Sequence, residues 1–337
     1  MRFSGSGLSR RRYRLIGLLI VVVLIASLVP VVGCAKKQTV QGKTLRVAFS
    51  ATPDAIDVVG YKMMDILKNE GINVDYGFYD GGAKAIQALM AGQVDIAASS
   101  LEDIVATGMT VFALNRPKNI YAMVGAKGMT KVEDIKGKKL GAADPDSIAN
   151  VIAEAIFAKH GIKHDDLTWV QIGGSGARTS ALLAGKVDAV FVYGGKHIQL
   201  KQAGYPTLTT MQDEFPGLHD DMWCSTKDWL AANEDLAVAV CKAQIEAARW
   251  FHDKPDEWLA LAKEKVEGLD DAVARQTYEL FKGMDMYPVD GLMTERTLQT
   301  TADFLIQAGI IDNVPLESWA TTKYMDQARR ELGVTVK

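Results

Sequence analysis

The segment LLAGKVDA, Leu182 to Ala189, echoes LMAGQVDI, Leu89 to Ile96, and Gly185 and Asp188 each lie 93 residues beyond Gly92 and Asp95. A glycine that stops a helix ahead of a strand is ordinary punctuation, so a single copy would carry little. Two copies at one offset carry more, provided that their flanks also match. Ahead of the first copy, TLRVAFS (Thr44–Ser50) alternates as a strand does. Thr52 suits an N-cap, Pro53 the first helical position and Asp54 the first turn. Ile56, Val59, Met63, Ile66 and Leu67 then share a helical face until Gly71. INVDYGFY (Ile72–Tyr79) predicts a strand, Gly81-Gly82 a turn and 83–91 a helix, and VDIAAS (Val94–Ser99) predicts a third strand.

The second copy keeps this order. KKLGAA (Lys138–Ala143) is strand-like, and DPD (Asp144–Asp146) repeats the cap, proline and acid of TPD. Ile148, Val151, Ile152, Ala155 and Ile156 fall at helical spacing before Gly161. LTWVQI (Leu167–Ile172), Gly173-Gly174, a helix to Ala184 and VDAVFVY (Val187–Tyr193) complete it. The repeated phrase is thus the second helix and third strand of a duplicated βαβαβ unit, and such units build parallel sheets. MWCST (Met222–Thr226) is a short strand candidate, and helical patterns dominate from Asp228 onward. The expected class is α/β: two duplicated lobes, with a helical C-terminal part packing on the first. Expected boundaries are 44–118 plus 210–337 for lobe 1, which is split, and 119–209 for lobe 2.

The first 43 residues are set apart. Arg10, Arg11, Arg12 and Arg14 precede an uncharged apolar run, Leu15 to Gly33, the pattern of an export signal with its basic end left inside. The run ends VVGC (Val31–Cys34), which is similar to a bacterial lipobox. On that reading 1–33 is a signal peptide, Cys34 carries a lipid, and 34–43 is a polar tether on the extracytoplasmic side of the cell membrane. The 19-residue run also fits an uncleaved membrane helix. SRRRYRL (Ser9–Leu15) resembles a twin-arginine signal as well.

Net charge is −3, so no basic field attracts nucleic acid. Hydrophobic residues make up 48% and charged residues 23%, as in ordinary globular proteins. Three cysteines cannot build a disulfide framework, although Cys224 and Cys241 form one candidate pair. Without H-E-x-x-H or C-x-x-C no metal or cofactor is expected, and without a G-x-x-x-x-G-K-[ST] loop any ATPase is another subunit. GGSGA (Gly173–Ala177) loosely matches a nucleophile elbow, with His197, His219 and His252 as bases, and Cys224 is a second candidate nucleophile. A glycine-rich ligand loop explains the first better and a buried small side chain the second. No catalytic residue is assigned.

Ligands of open α/β sheets bind outside the carboxyl ends of the strands. Here those ends carry Ser50–Thr52, Asp80–Gly82, Ser99-Ser100, Asp144–Ser147, Gly173–Arg178 and Tyr193–Gly195. Glycine lets a backbone approach a ligand, and helix N-termini favour anions. Arg178 is the cation expected to grip a carboxylate or sulfonate. Asp144 and Asp146 oppose an anion, which suggests a hydroxyl or amine on the ligand as well. Tyr79, Phe191, Tyr193 and Trp223 are candidate ring-stacking partners, although such aromatics are usually core.

With its lipobox, its duplicated lobes and LxAGxVD after a Gly-rich turn, the chain resembles the substrate-binding proteins of ABC importers. The branch is the NMT1/THI5-like one, which includes sulfonate, nitrate and taurine binders. The likeness runs from Thr44 to Gly333 and takes in DWLAANEDLAVAVCKAQIEAARW and DFLIQAGII. The Cys-rich motif of the pyrimidine-binding members is absent. The resemblance implies a type II periplasmic-binding-protein fold, a monomer whose lobes close on a small, anionic organic molecule for delivery to a permease and its separate ATPase. It implies pocket positions at Ser50, Ser99, Ser100, Asp144, Ser147, Ser175, Arg178 and Tyr193, and Thr52 joins them from the strand-end argument. Two other readings stay open: an anchored hydrolase or desulfinase on the same fold, and the ligand-binding component of a sensor.

Overall fold

The computed structural model describes residues 40–50, 53–143 and 147–336. Among the described residues ten strands form two sheets: β1 (Thr44–Phe49), β2 (Asn73–Phe78), β3 (Ile96–Ser99), β4 (Thr110–Arg116), β5 (Ala122–Gly125), β6 (Lys139–Ala142), β7 (Thr168–Gln171), β8 (Ala189–Val192), β9 (Thr207–Thr210) and β10 (Asp221–Ser225). The orders are β2-β1-β3-β10-β4 and β7-β6-β8-β5-β9. Each sheet holds three parallel strands from one βαβαβ unit. Beyond them lies an antiparallel strand, β10 between β3 and β4, and β5 between β8 and β9. The architecture is the expected pair of α/β lobes.

The repeated Gly and Asp have a backbone role. Gly92 and Gly185 take φ of 68° and 66°, a left-handed geometry that ends each helix cheaply only for glycine. Asp95 then ties the third strand to the first: its N–H donates to Arg46 O at 2.8 Å, and its Oδ2 accepts from Arg46 N at 2.7 Å. Asp188 does the same with Lys139, at 2.8 and 2.9 Å. The phrase therefore sets the register of the first and third strands twice over.

The predicted helices are present as α1 (Val58–Asn69), α2 (Gly82–Met90), α3 (Leu101–Thr107, not foreseen), α4 (Ile148–Lys159), α5 (Ser175–Leu183) and α6 (Gly195–Gln202, not foreseen). The α-helix after TPD starts only at Val58, behind a 3-10 turn at Ala55–Asp57. There Asp57 is turned inward to the guanidinium of Arg116 and also accepts from Asp54 N. The strands β4, β5 and β9 were not foreseen either. Six of the seven residues of β4 are buried, so it shows no polar–apolar alternation.

One core joins lobe 1 to the C-terminal helices. Phe49 of β1 shares it with Phe251 of α7 (Glu234–Asp253), Trp258 of α8 (Pro255–Lys265), Phe281 of α9 (Asp271–Gly283), Leu298 of α10 (Glu295–Gln307) and Tyr324 of α11 (Lys323–Leu332). The lobe 2 sheet has a core on each face, one around Ile152 and Phe157 and one around Leu182 and Val190. The chain passes between the sheets from β4 to β5 and from β9 to β10. The two crossings are bonded to each other through Asn119 N to Leu218 O and Asp220 N to Arg116 O, both 3.2 Å. Cys224 and Cys241 are both free and buried, so the candidate disulfide is not formed. Among the described residues no helix is long and apolar enough to cross a membrane.

Candidate functional site

Because β1, β3 and β4 run parallel, their last residues reach one edge of the lobe 1 sheet, and antiparallel β10 starts at that same edge with Asp221 opposite Arg116. The corresponding edge of lobe 2 carries Tyr193 and the start of α5. A cavity of about 350 Å³ lies between them, within the usual range for a small-molecule site. Its polar wall includes Ser50, Ser100, Glu102, Arg116, Asp220 and Asp221. The facing wall includes Tyr121, Ile148, Ile152, Ser175, Tyr193 and Met211, and α10 closes a side with Thr301, Phe304 and Leu305.

Arg116 organises the charged wall. Its Nη2 and Nε donate to Asp57 Oδ1 at 2.7 and 3.2 Å. Its Nη1 lies 3.5 Å from Asp221 and 3.9 Å from Asp220, and its guanidinium sits 5.8 Å from the centre of the Tyr193 ring. Burial alone would lower the Arg116 pKa. The carboxylates, Asp57 foremost, outweigh it and hold the guanidinium above its ordinary value. Burial raises the carboxyl pKa values of Asp57, Asp221 and Glu102 and pushes that of Asp220 up to about 7, despite the opposing pull of Arg116 and the Tyr193 hydroxyl.

The wall's donors are largely engaged with its own acids. The Ser50 hydroxyl donates to Asp221 Oδ2 and the Tyr193 hydroxyl to Asp220 Oδ2. Asn119 Nδ2 donates to Asp220 Oδ1 at 3.2 Å. His219, 5% exposed, lies 2.7 Å by Nδ1 from Pro117 O, which can only accept, so the proton is on Nδ1. Burial holds its pKa down to about 4, and the neutral ring keeps a lone pair on Nε2, for which no hydrogen-bond partner exists among the described residues.

Four of the sequence-predicted site residues, Ser50, Ser100, Ser175 and Tyr193, come together in the wall. Ser99 lies fully buried behind it, donating to Asp103 Oδ2 at 3.1 Å. Ser147 caps α4, accepting from Ala149 N, and is not part of the wall. Arg178, 3% exposed, is not part of the wall either. Its guanidinium donates to Phe191 O, Gly173 O and Ser175 Oγ, and so braces the start of α5 from behind. Thr52, Asp144 and Cys34 lie outside the described residues. Trp223 and Phe191 are core, and Tyr79 packs against it. Cys224 is fully buried, and its thiol pKa is pushed well up, so it is a poor nucleophile.

Arg116, Asp220, Asp221 and Glu102 were missed, and His219 was singled out only as a candidate base, not as part of a binding wall. Arg116 ends an unforeseen strand, and the acids stand in segments that sequence patterning treats as connections. The one available signal was RPKN (Arg116–Asn119) and HDD (His219–Asp221), two charged clusters at the two crossings.

Comparison with known proteins agrees with this architecture. The chain is 28% identical over 212 residues to the taurine-binding periplasmic protein of Escherichia coli (strain K12), a match covering 57% of this chain and 62% of that protein, less than two thirds of its length. The periplasmic sulfonate-binding protein SsuA of Methylobacillus flagellatus KT superposes with a TM-score of 0.69 at 14% identity, over 87% of this chain and 95% of that one. The aliphatic sulphonate binding protein SsuA of Escherichia coli gives 0.65 at 18%, over 82% and 91%. At such identities these two structures share the fold. The NMT1/THI5 like family model matches residues 66–258, more than half of the chain, and by that match and the architecture the chain belongs to the NMT1/THI5 like family.

Proposed function

We propose that the protein is an extracytoplasmic solute receptor: it captures a small organic molecule between its lobes and passes it to an ABC permease driven by a separate ATPase. The observation that carries this reading is the cavity between two carboxyl-edge surfaces joined by two crossing segments, an arrangement suited to hinge closure. The closing bodies are taken as 44–118 with 210–337, and 119–209. The family match and the taurine-binding relative support the role. Catalysis has less support: the thiol of Cys224 is buried, and Ser175 Oγ accepts from Tyr193 N and Arg178 Nη2 instead of facing a histidine. The membrane attachment proposed is a lipid on Cys34, supported by VVGC behind the arginine-led apolar run.

Native mass spectrometry of protein from its own cells tests the role. Denaturation releases a bound small molecule, and that compound is returned unchanged after incubation with fresh protein; steady conversion overturns the receptor reading. For the anchor, Cys34→Ser leaves the protein unlipidated and released from membranes. Continued processing and anchoring of that variant rules the lipid out.

A further inference from the structure

Glu102 lines the same cavity as Arg116, Asp220 and Asp221, and Asp57, Asp220 and Asp221 lie around the guanidinium of Arg116. Asp57 pairs with it most closely, at 2.7 Å through Nη2. That leaves Glu102, Asp220 and Asp221 for the remaining space. The hydroxyls of Ser50 and Tyr193 and the amide of Asn119 already donate to these acids. Independently, His219 lines the cavity, and its Nε2 is a buried acceptor with no hydrogen-bond partner among the described residues. Once its acids are ionised, the charged side of the wall presents mainly acceptors. A sulfonate brings only acceptor oxygens and a like charge. Helices α2 and α5 do begin at the cavity, but a helix end is worth about half a unit of positive charge, against a full unit on an ionised carboxylate. The α3 end is offset by Glu102 and Asp103 in its first turn. The opposite side, with Ile148, Ile152, Met211, Phe304 and the Tyr121 ring, offers apolar and aromatic surface.

We propose that the ligand is an organic cation, a protonated amine or amidinium on an apolar or ring body, whose N–H groups are held by Glu102, Asp220, Asp221 and the Nε2 of His219. This rests on the receptor reading and narrows its ligand. Burial favours protonated acids here, and it pushes the pKa of Asp220, faced by Arg116, Tyr193, Asn119, Asp221 and Glu102, up to about 7. A cation must displace that proton, so its affinity rises with pH; an anion would need the proton kept, and its affinity would fall.

The test uses probes of matched shape and opposite charge: benzamidinium against benzenesulfonate, and propylammonium against propane-1-sulfonate. Thermal shift and calorimetry on the whole protein are expected to show stabilisation by at least one cation, and by neither sulfonate. Cation affinity should increase from about pH 5.5 to about pH 8, with protons released on binding. Asp220→Asn and Glu102→Gln should each weaken the bound cation about tenfold or more, as expected when a buried charge loses its partner. Their unliganded melting temperatures, unchanged or raised, show that both fold. Preference for either sulfonate, affinity that falls as pH rises, or no stabilisation by either cation overturns the proposal. The failures are separable: an anionic compound released unchanged from the native protein leaves the receptor role standing and removes the cation.

Discussion

The two lobes share a scaffold and part company at their carboxyl edges. Asp95 and Asp188 make the same pair of backbone bonds, and α2 and α5 begin 93 residues apart, at Gly82 and Ser175. In lobe 1 the strand under that helix start ends at Ser99, and a Cβ on Gly82 would stand 2.2 Å from Ser99 Oγ. In lobe 2 the corresponding strand ends at Val192, and Ser175 has room for a side chain that accepts from Tyr193 N at 3.1 Å. The lobe 1 edge then adds Arg116 and Asp221 from strands outside the repeat, whereas lobe 2 adds Tyr121 and Met211. Duplication thus supplied two frames, and the charged half of the site comes from what was added to one of them. The repeated letters report strand register, and the chemistry lies where the copies differ.

The most severe way to break this asymmetry is Arg116→Met. It strands Asp57, 1% exposed, without its cation, and is expected to cost about 3–5 kcal/mol in urea unfolding. Adding Asp57→Asn should recover much of that loss. A single-variant cost below about 1 kcal/mol would mean that Arg116 does not hold the lobe 1 edge. Next, Gly82→Ser writes the lobe 2 residue into lobe 1. The predicted loss is about 1–3 kcal/mol from overpacking against Ser99 and Asp103. Ser99→Ala in the same chain removes the obstructing hydroxyl and should restore most of it; no rescue would show that the two helix starts differ for another reason. The smallest effect sharpens the comparison at the shared aspartates. Asp95 also pairs with the Arg46 guanidinium at 2.7 Å, so Asp95→Ala should cost about 2 kcal/mol, against about 1 kcal/mol for Asp188→Ala, by thermal or urea unfolding. Equal losses would reduce the Arg46 pair to a solvent-screened contact.

Particular residues show what each level of description could reach. Gly92 and Gly185, Asp95 and Asp188, and the periodic faces of α1 and α4 are local matters of backbone sign, capping and spacing, so the duplicated α/β architecture was legible from the chain alone. Ser50, Ser100, Ser175 and Tyr193 followed, because a strand's carboxyl end is itself a local feature. Arg178 shows where that reasoning stops: its residue type announced a ligand grip, but folding placed it behind the wall, on Phe191 O, Gly173 O and Ser175 Oγ. Arg116 shows the converse. It ends a strand with no alternation, and its partners Asp57, Asp220 and Asp221 are 59, 104 and 105 residues away along the chain. Hydrophobic periodicity is set by each element's own two faces and survives in one dimension. Which charges share a cavity depends on where the crossings bring the two sheet edges, and only the tertiary structure decides that.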